Sequence, residues 1–323
     1  MRSSMESMPN PDIAQEYTIV RLNDDNLADL ERLYAAVYGS AIRPGFYKEK
    51  YATAYTGVTF VGYIAYSPQH EPVAYYGVIP CFIEHAGGRI LAAQSADTMT
   101  HPGYRYKGMF AELSRLTFAL CRSAGIRLVF GFPNKNSYPG AIRMGWKETI
   151  TMDHFEVRIP ALPLASLAAR WPFVRPLYRR YQHMVTAAYA SPLAGVRSTV
   201  IAGDAAGVHR SDPYLEQRKY NDTQVLQLGP AKIWVKITSI MFIGDMEGVD
   251  ENNFDGVMRA LAKLCGRLGI RRLSFHTSPH TALHRLWSGR HAAVPSFPVL
   301  FQDFGAEVPL EKIKFTFADI DIF

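Results

Sequence analysis

The sequence predicts a mixed α/β protein of two tandem units, each a twisted, mostly antiparallel sheet flanked by helices. Segments with helical periodicity alternate with short apolar or alternating segments that are typical of strands. Turn residues such as Ala86-Gly87-Gly88 separate neighbouring strands. An internal repeat supports the two units: Leu-Cys-Arg-Ser-Ala-Gly-Ile-Arg begins at Leu120, and Leu-Cys-Gly-Arg-Leu-Gly-Ile-Arg begins at Leu264.

The first unit is predicted over residues 16–160 from the order of these patterns. Two helices, Asp24–Tyr38 and Met109–Ser123, each carry leucines three or four residues apart on one face. The predicted strands are Tyr17–Leu22, Val58–Tyr66, Pro72–His85, Arg89–Thr100, Arg127–Phe132, Trp146–Thr151 and His154–Ile159. The last two are expected to close the sheet of this unit.

The second unit, over residues 211–323, repeats the later part of this order. It is predicted to contain a helix over Phe254–Leu268, a strand over Arg272–Thr277 and a helix over Pro279–Trp287. Residues 161–210 are predicted to be a linking helical segment, with a helix lying on a membrane surface as the alternative. Residues 1–15 are polar and are expected to be a disordered N-terminus without a signal peptide.

Composition narrows the functional classes. The 323 residues include 35 basic and 29 acidic ones, and the formal net charge of +6 suits an anionic small ligand. This charge is too sparse for a nucleic-acid-binding face, and no apolar run reaches the ~18 residues that span a bilayer. Three scattered cysteines favour a reduced, cytoplasmic protein. His280 and His284 are four residues apart, but no carboxylate is near them in sequence, so no metal site is predicted.

Two loops carry the most specific signals. Arg105-Tyr106-Lys107-Gly108 comes directly before a predicted helix, and glycine lets a backbone approach a ligand closely. Amides at a helix N-terminus bind anions, and neighbouring arginine and lysine side chains add positive charge, so this loop is suited to a pyrophosphate. The second loop runs from Asn134 to Trp146 and follows a short apolar strand.

With Asn134, Ser137, Gly145 and Trp146 in place, the second loop resembles the last motif of the GNAT acyltransferase superfamily, Asn-x-x-Ala/Ser-x-x-x-Tyr-x-x-x-Gly-Phe. The first loop is similar to the coenzyme A loop of that family, Gln/Arg-x-x-Gly-x-Gly/Ala. The resemblance implies acetyl-CoA or another short acyl-CoA as co-substrate, with an amine as acceptor and no metal. The positions that it assigns to coenzyme A are Thr98, Met99, Arg105, Tyr106, Lys107, Gly108, Met109, Phe110, Asn134 and Ser137.

Two positions depart from the family pattern. Phe110 occupies the last slot of the coenzyme A loop, where the family has glycine or alanine, and its side chain is expected to turn inward. Ala141 occupies the slot of the tyrosine that protonates the departing thiolate. Tyr138 is therefore a candidate replacement acid, and departure of the thiolate without a dedicated acid is the alternative.

The second unit lacks the features of the first loop. The repeat aligns Gly108 with Asn252, and the aligned segment reads Val249-Asp250-Glu251-Asn252. Its two carboxylates would repel a pyrophosphate. The sequence therefore predicts that the first unit binds acyl-CoA and that the second, a degenerate copy, shapes the acceptor site.

An amine must be neutral to attack a thioester, so a base or a water relay removes a proton. Asp97 and His101 are candidate bases because they lie at the end of the fourth predicted strand and just after it. Glu84 is a further carboxylate that is predicted to contact the substrate.

The segment Asp212–Tyr220 and the ending Phe317–Phe323 are similar to segments of twin-unit GNAT proteins. Among these, sugar-nucleotide N-acyltransferases acylate dTDP-linked aminosugars for surface polysaccharide. The resemblance implies a dTDP- or UDP-aminosugar acceptor, with Arg218 and the arginines of the linking segment as contacts for its diphosphate. Two alternatives are a peptidyl or aminoacyl transferase of the twin-unit type and a non-catalytic acyl-CoA-binding protein.

Overall fold

The computed structural model describes residues 16–323. The predicted disorder of residues 1–15 therefore lies outside the described residues. The chain divides into two compact units. The first contains residues 16–83 together with 88–148 and 299–307, and the second contains 84–87, 149–298 and 308–323.

The first unit is a mixed sheet flanked by helices. Its strands are β1 (Thr18–Arg21), β2 (Val61–Tyr66), β3 (Pro72–His85), β4 (Gly88–Thr100) and β5 (Leu128–Gly131). Its helices are α1 (Leu27–Tyr38), α2 (Phe46–Lys50), α3 (Met109–Ser123) and α4 (Tyr138–Arg143). The strands follow each other in the sheet in chain order, and β4 pairs with β5 in parallel.

Helices α1 and α3 form because their apolar residues recur on one face and are buried against this sheet. Leu27, Leu30 and Leu33 of α1 are at most 5% exposed. Helix α3 has the predicted bounds and buries Met109 and Leu113 with Trp146 in one apolar cluster. These side chains hold the loops at both ends of α3 in place.

The strand that closes the first unit differs from the prediction. Leu300–Asp303 pairs antiparallel with β5. The two predicted strands after the second loop are instead one long strand, β6 (Lys147–Arg158), and its residues Asp153–Arg158 pair with a strand of the second unit. The prediction was wrong because an alternating pattern identifies a strand but does not specify its partner. The predicted ranges of the two units, 16–160 and 211–323, stay a prediction.

The second unit is also a mixed sheet with helices. Besides β6, its strands are β7 (Gly207–Val208), β8 (Thr223–Leu228), β9 (Ala231–Ile237), β10 (Met241–Glu247), β11 (Arg272–Thr277) and the first part of β12 (Val294–Asp303). Its helices are α5 (Leu164–Arg170), α6 (Arg175–Ala187), α7 (Asp212–Gln217), α8 (Phe254–Leu268) and α9 (Ala282–Ser288). Strands β10 and β11 are parallel, as β4 and β5 are in the first unit.

The internal repeat is visible in the backbone geometry of each unit. Helices α3 and α8 both lead into a glycine with positive φ. The next amide, at Ile126 in the first unit and Ile270 in the second, donates to the carbonyl of Cys121 or Cys265 at 2.9 Å. This is the hydrogen bond by which a left-handed glycine ends a helix. The predicted fold class, a mixed α/β protein with a mixed sheet flanked by helices in a tandem arrangement, is confirmed.

Candidate active site

The loop before α3 has the backbone geometry of an anion site. Gly108 has a φ of 77°, in the left-handed region that favours glycine, and α3 begins at the next residue. No side chain in residues 16–323 caps this N-terminus. The amides of the first helical turn lack intrahelical partners, and the helix dipole adds positive potential at the same point. This end of α3 is therefore suited to a phosphate group.

Positive side chains surround this turn. Arg105 and Lys107 are both exposed. The Lys107 ammonium donates to the Tyr17 hydroxyl at 3.0 Å and lies 5.6 Å from the centroid of the Tyr104 ring. The hydrogen bond to Tyr17 raises the pKa of Lys107, so the side chain stays cationic beside the turn.

The side chain of Phe110 turns inward, as expected. Its ring packs edge-to-face on Tyr76, with centroids 5.6 Å apart. A Cβ atom built on Gly140 would lie 3.1 Å from the same ring, so glycine at the start of α4 leaves room for it. The bulky residue therefore fills the space between β3 and α4 and does not cover the turn at Gly108.

The parallel strands β4 and β5 diverge beside this loop. They pair from Ala92 with Leu128 to Gln94 with Phe130, and β5 ends one residue later. Strand β4 continues to Thr100. The last six residues of β4 therefore extend past its pairing with β5, and an extended ligand could bind along this edge by strand-like hydrogen bonds. The predicted coenzyme A contacts Thr98 and Met99 lie in this stretch.

Asp97 bends β4 within the diverging stretch and is paired with a lysine that the sequence analysis missed. Its φ is 53°, which aspartate tolerates better than most residues. Its two carboxylate oxygens accept hydrogen bonds from the Lys50 ammonium at 2.8 and 2.7 Å, and one also accepts from the Tyr51 hydroxyl at 3.1 Å. Lys50 is only 2% exposed. To act as a base, Asp97 would have to give up this buried ion pair, which is costly.

His101 has a local structural role. Its Nδ1 atom accepts a hydrogen bond from the amide of Gly103 at 3.2 Å, which caps the short 3₁₀ turn Pro102–Tyr104. In the neutral imidazole with an accepting Nδ1, the proton is on Nε2. Neither ring nitrogen then has a free lone pair for an incoming amine, so this geometry does not favour His101 as the base.

The second loop forms a turn that fixes the start of α4. The Asn134 side-chain oxygen accepts from the amides of Asn136 at 2.8 Å and Ser137 at 3.1 Å, and the Ser137 hydroxyl accepts from the amide of Asn134 at 3.1 Å. These side chains stabilise the loop that follows β5. Both residues, which the resemblance assigns to coenzyme A, therefore lie at the end of β5 where it diverges from β4.

Ala141 and Tyr138 are the two positions considered for the acid that protonates the departing thiolate. Ala141 is 7% exposed and belongs to the apolar core of the unit, so no acid occupies that slot. The Tyr138 hydroxyl donates to the Glu148 carboxylate at 2.5 Å. This hydrogen bond raises the pKa of Tyr138, which makes it a weaker acid.

In the second unit, the loop that corresponds to the anion site caps itself. Asp250 accepts from the amides of Asn252 at 2.9 Å and Asn253 at 3.0 Å, and the Asn253 side chain accepts from the amide of Asp250 at 3.0 Å. The carboxylate thus occupies amide donors just before α8. In the second unit, the Asp250 carboxylate therefore takes the amides of Asn252 and Asn253 as its own hydrogen-bond donors.

The end of the β10–β11 pair is occupied as well. Their parallel pairing stops at Ile243 with Phe275. Beyond it, a Cβ atom on Gly244 would overlap the ring of Phe323, and the centroid of the Phe317 ring lies 5.6 Å from that of Phe242. The C-terminal segment, residues 313–323, therefore lies against β10 at the place where β4 in the first unit extends past its parallel partner.

Arg218 is buried and anchors this C-terminal segment. It is 3% exposed, and its guanidinium donates to the carbonyls of Ala318 at 3.0 Å and Ile320 at 2.6 Å and to the Tyr220 hydroxyl at 2.8 Å. The predicted contact with an acceptor diphosphate stays a prediction, and it would require a ligand to reach a buried guanidinium that already has these internal partners.

Glu84 is paired within the second unit. Its carboxylate is hydrogen-bonded to Nδ1 of His209 at 2.5 Å. Both side chains are partly exposed. The predicted contact between Glu84 and the substrate stays a prediction.

The histidines considered for a metal are separated by the structure. His280 precedes α9 and has a φ of 66°, so it is not on the helix with His284, which pairs with Asp153 at 2.8 Å. His276 is bonded to Ser296 at 3.1 Å. Within residues 16–323, no three His, Cys, Asp or Glu side chains are grouped to hold a metal ion. In the same part of the chain, no helix is both long and apolar enough to cross a membrane.

Comparison with known families bears on the first unit. Residues 18–149 match the model of the acetyltransferase (GNAT) domain. This stretch is a GNAT acetyltransferase domain. It contains the loop at Gly108, the diverging strands and the turn at Asn134. The sequence-based resemblance is confirmed for this domain, which is that of an acyltransferase whose family uses acetyl-CoA. The aminosugar subtype stays a prediction.

Solved structures resemble the chain over both units. A GCN5-related N-acetyltransferase from Kribbella flavida covers 91% of this chain and 73% of its own, with a TM-score of 0.56 and 14% identity. A conserved protein described as a probable N-acyltransferase, from Enterococcus faecalis, covers 92% and 75%, with a TM-score of 0.59 and 11% identity. A GCN5-related N-acetyltransferase from Anabaena variabilis covers 92% and 75%, with a TM-score of 0.56 and 13% identity. At these identities the likeness shows the fold alone. No curated relative matches the chain.

Proposed function

We propose that the protein is an acyl-CoA-dependent N-acyltransferase that uses only its first unit to bind the donor. One comparison carries the proposal. In the first unit, α3 begins after a left-handed glycine, Gly108, beside the stretch of β4 that extends past β5. In the second unit, Asp250 caps the loop and the C-terminal segment lies against the strand end. Two independent features thus favour an anionic, extended ligand in one unit and disfavour it in the other.

Within the donor site, each part of coenzyme A has a proposed partner. The pyrophosphate binds the amides at the start of α3, with Arg105 and Lys107 beside it. The pantetheine lies along the stretch of β4 that extends past β5, with the backbone of Thr98 and Met99 as its hydrogen-bonding partners. The thioester then lies near the end of β5, beside the turn at Asn134.

In the proposed reaction the neutral amine of the acceptor attacks the thioester carbonyl in a ternary complex. The C–N bond forms, the C–S bond breaks, the thiolate departs and the amine nitrogen loses a proton. Much of the rate comes from holding the two reactants together. Because Asp97 is paired with Lys50 and His101 caps a turn, the proton passes to water, and kcat/KM rises with pH as the acceptor amine becomes neutral.

The acceptor class is the finer part of the proposal. A nucleotide-linked aminosugar is supported by the similarity of Asp212–Tyr220 and Phe317–Phe323 to twin-unit sugar-nucleotide N-acyltransferases. In this chain Arg218 connects those two segments through hydrogen bonds to Ala318 and Ile320. The similarity therefore lies in residues that stabilise the second unit, and the acceptor class has to be decided by substrate tests.

Calorimetric titration with acetyl-CoA tests the donor site. Binding with one site per chain is expected. Gly108→Asp, which places a carboxylate at the turn, and Arg105→Glu, which keeps the glycine, should each weaken binding by at least roughly tenfold. Asn252→Asp is the matched control in the second unit and should leave the affinity unchanged. Two equivalent sites, or equal effects of the substitutions in the two units, would contradict the proposal.

Release of free thiol from acetyl-CoA tests the acceptor. The panel is a dTDP-aminosugar, a UDP-aminosugar, the free aminosugars and an aminoacyl-tRNA. Turnover that needs the nucleotide supports the aminosugar proposal, and equal turnover of the free sugar refutes it. Transfer involving aminoacyl-tRNA would favour a peptidyl or aminoacyl transferase. Tight binding of acetyl-CoA with no turnover of any amine would indicate a binding protein.

A further inference from the structure

Helices α5 and α6 present an apolar surface that neither the donor site nor the acylation reaction uses. Leu167, Trp171, Phe173, Leu177 and Met184 are between 49% and 74% exposed. The rings of Trp171 and Phe173 lie in the short connection between the helices, in edge-to-face contact at 5.4 Å. Apolar side chains of this size, grouped on one surface, mark an interaction site more often than chance exposure does.

Side chains and backbone groups beside this surface fix the two helices to the rest of the second unit. The Tyr178 hydroxyl donates to the Leu268 carbonyl at 2.9 Å, and the Tyr181 hydroxyl donates to the Arg267 carbonyl at 2.6 Å. Ala165 is buried, and its amide donates to the Gly269 carbonyl at 3.3 Å. The exposed surface is therefore carried on an anchored support and borders a groove of about 490 Å³.

The charged side chains on α5 and α6 are all basic. Residues 157–203 contain six arginines, one histidine and no aspartate, glutamate or lysine. Arg170, Arg175, Arg179 and Arg180 lie on α5 and α6 and are all exposed. Leu177 and Met184 are seven residues apart, so they lie on the same face of α6, and Arg180 lies between them along the helix. Exposed Trp, Phe and Leu side chains thus alternate with arginines that no carboxylate of this segment can neutralise.

We propose that α5, α6 and the connection between them form a docking surface for an anionic lipid bilayer. Apolar and aromatic side chains enter the boundary between headgroups and acyl chains, while long arginine side chains keep their charge among the lipid phosphates. A second copy of the chain fits less well. A two-fold contact would bring the same arginines of both copies together without a carboxylate between them. The surface lies on the interface and does not span the membrane.

Co-sedimentation of the full-length protein with vesicles tests the docking surface. Vesicles of phosphatidylcholine mixed with phosphatidylglycerol should bind the protein, and vesicles of phosphatidylcholine alone should bind it much more weakly. Raising the salt concentration should release the protein because screening weakens the arginine contacts. Neutralising two arginines in Arg179→Gln/Arg180→Gln should weaken binding roughly 30-fold.

Matched variants separate the surface from general effects of substitution. Phe173→Ser/Leu177→Ser should reduce binding, and its exposed positions leave the core intact. Val294→Ser and Arg259→Gln change exposed residues elsewhere in the second unit and should bind as the unaltered protein does. The acetyl-CoA affinity serves as a fold control for all variants, and this test does not depend on acyl transfer.

Tryptophan fluorescence gives a direct readout. Trp171 is 49% exposed, whereas Trp146, Trp234 and Trp287 are at most 6% exposed. Insertion of the surface should shift the emission of Trp171 to the blue, and Trp171→Phe should abolish the shift. The proposal would be overturned if the protein did not bind anionic vesicles or bound neutral vesicles equally well. It would also be overturned if Arg179→Gln/Arg180→Gln and Phe173→Ser/Leu177→Ser both bound as the unaltered protein does. A dimer that Phe173→Ser/Leu177→Ser dissociates, without vesicle binding, would assign the surface to a second copy.

Discussion

Replacing Arg218 separates a structural role from a substrate role. In Arg218→Met most of the side-chain volume remains, but the hydrogen bonds at 3.0 and 2.6 Å to the carbonyls of Ala318 and Ile320, and at 2.8 Å to Tyr220, are lost. Each bond from a charged group contributes about 1.5–3 kcal/mol. Removing a buried charge offsets part of this loss. We expect a net destabilisation of about 4 kcal/mol, since the three partners remain buried.

Differential scanning calorimetry measures this change. For a unit of this size, about 4 kcal/mol corresponds to a decrease of roughly 10 °C in Tm. Lys219→Met is the matched control, because the Lys219 side chain, next to Arg218 in sequence, is 57% exposed and forms a surface ion pair with Glu216. Such pairs contribute less than about 1 kcal/mol, so its Tm should barely change.

The kinetic parameters complete the test. At a temperature where Arg218→Met is folded, its KM for acetyl-CoA and for the acceptor should equal those of the unaltered protein. A raised acceptor KM together with an unchanged Tm would refute the structural interpretation and restore Arg218 as a substrate contact.

Three further predictions concern buried or hydrogen-bonded titratable groups. Lys50→Met should lower the free energy of unfolding by about 3 kcal/mol in denaturant titrations, because the Asp97 carboxylate loses its buried counter-ion. Adding Asp97→Asn should restore part of this loss, and additive losses would show that the pair is not coupled. Tyr138→Phe should reduce kcat only a few-fold, because the Glu148 carboxylate raises the pKa of Tyr138. A loss of kcat on the order of 10²–10⁴-fold with intact coenzyme binding would identify Tyr138 as the acid. Burial, with a smaller effect of a neighbouring histidine, lowers the pKa of His276 to about 3, so the unfolded state takes up the proton first and stability falls as the pH drops from about 6.5 towards 3. The contribution of His276 to this loss of unfolding free energy is at most about 3 kcal/mol at pH 4. In denaturant titrations at several pH values, His276→Gln should make the free energy of unfolding fall less steeply as the pH drops. An unchanged pH dependence would show that His276 does not cause the loss.

The amino-acid sequence by itself determined the features that depend on neighbours along the chain. The bounds of α3, α8 and β11 were predicted correctly because apolar periodicity and a terminal glycine are local signals. The loop at Gly108 was identified for the same reason, since a left-handed glycine before a helix needs no distant partner. The charge reversal at Asp250 could also be read directly, and the structure adds that its carboxylate caps the loop.

Only the tertiary structure decided which distant segments meet. The pairing of Lys50 with Asp97 joins α2 to β4, although the spacing of Tyr47, Lys50 and Tyr51 on one helix face was a signal that could have suggested a buried lysine. Arg218 looked like a surface arginine because nothing in its own segment shows that residues 318–320 cover it. The closing of the first unit by Leu300–Asp303 and the position of the C-terminal segment on β10 have the same origin. Contacts between residues far apart in sequence depend on burial and on backbone hydrogen bonds that a one-dimensional pattern does not specify.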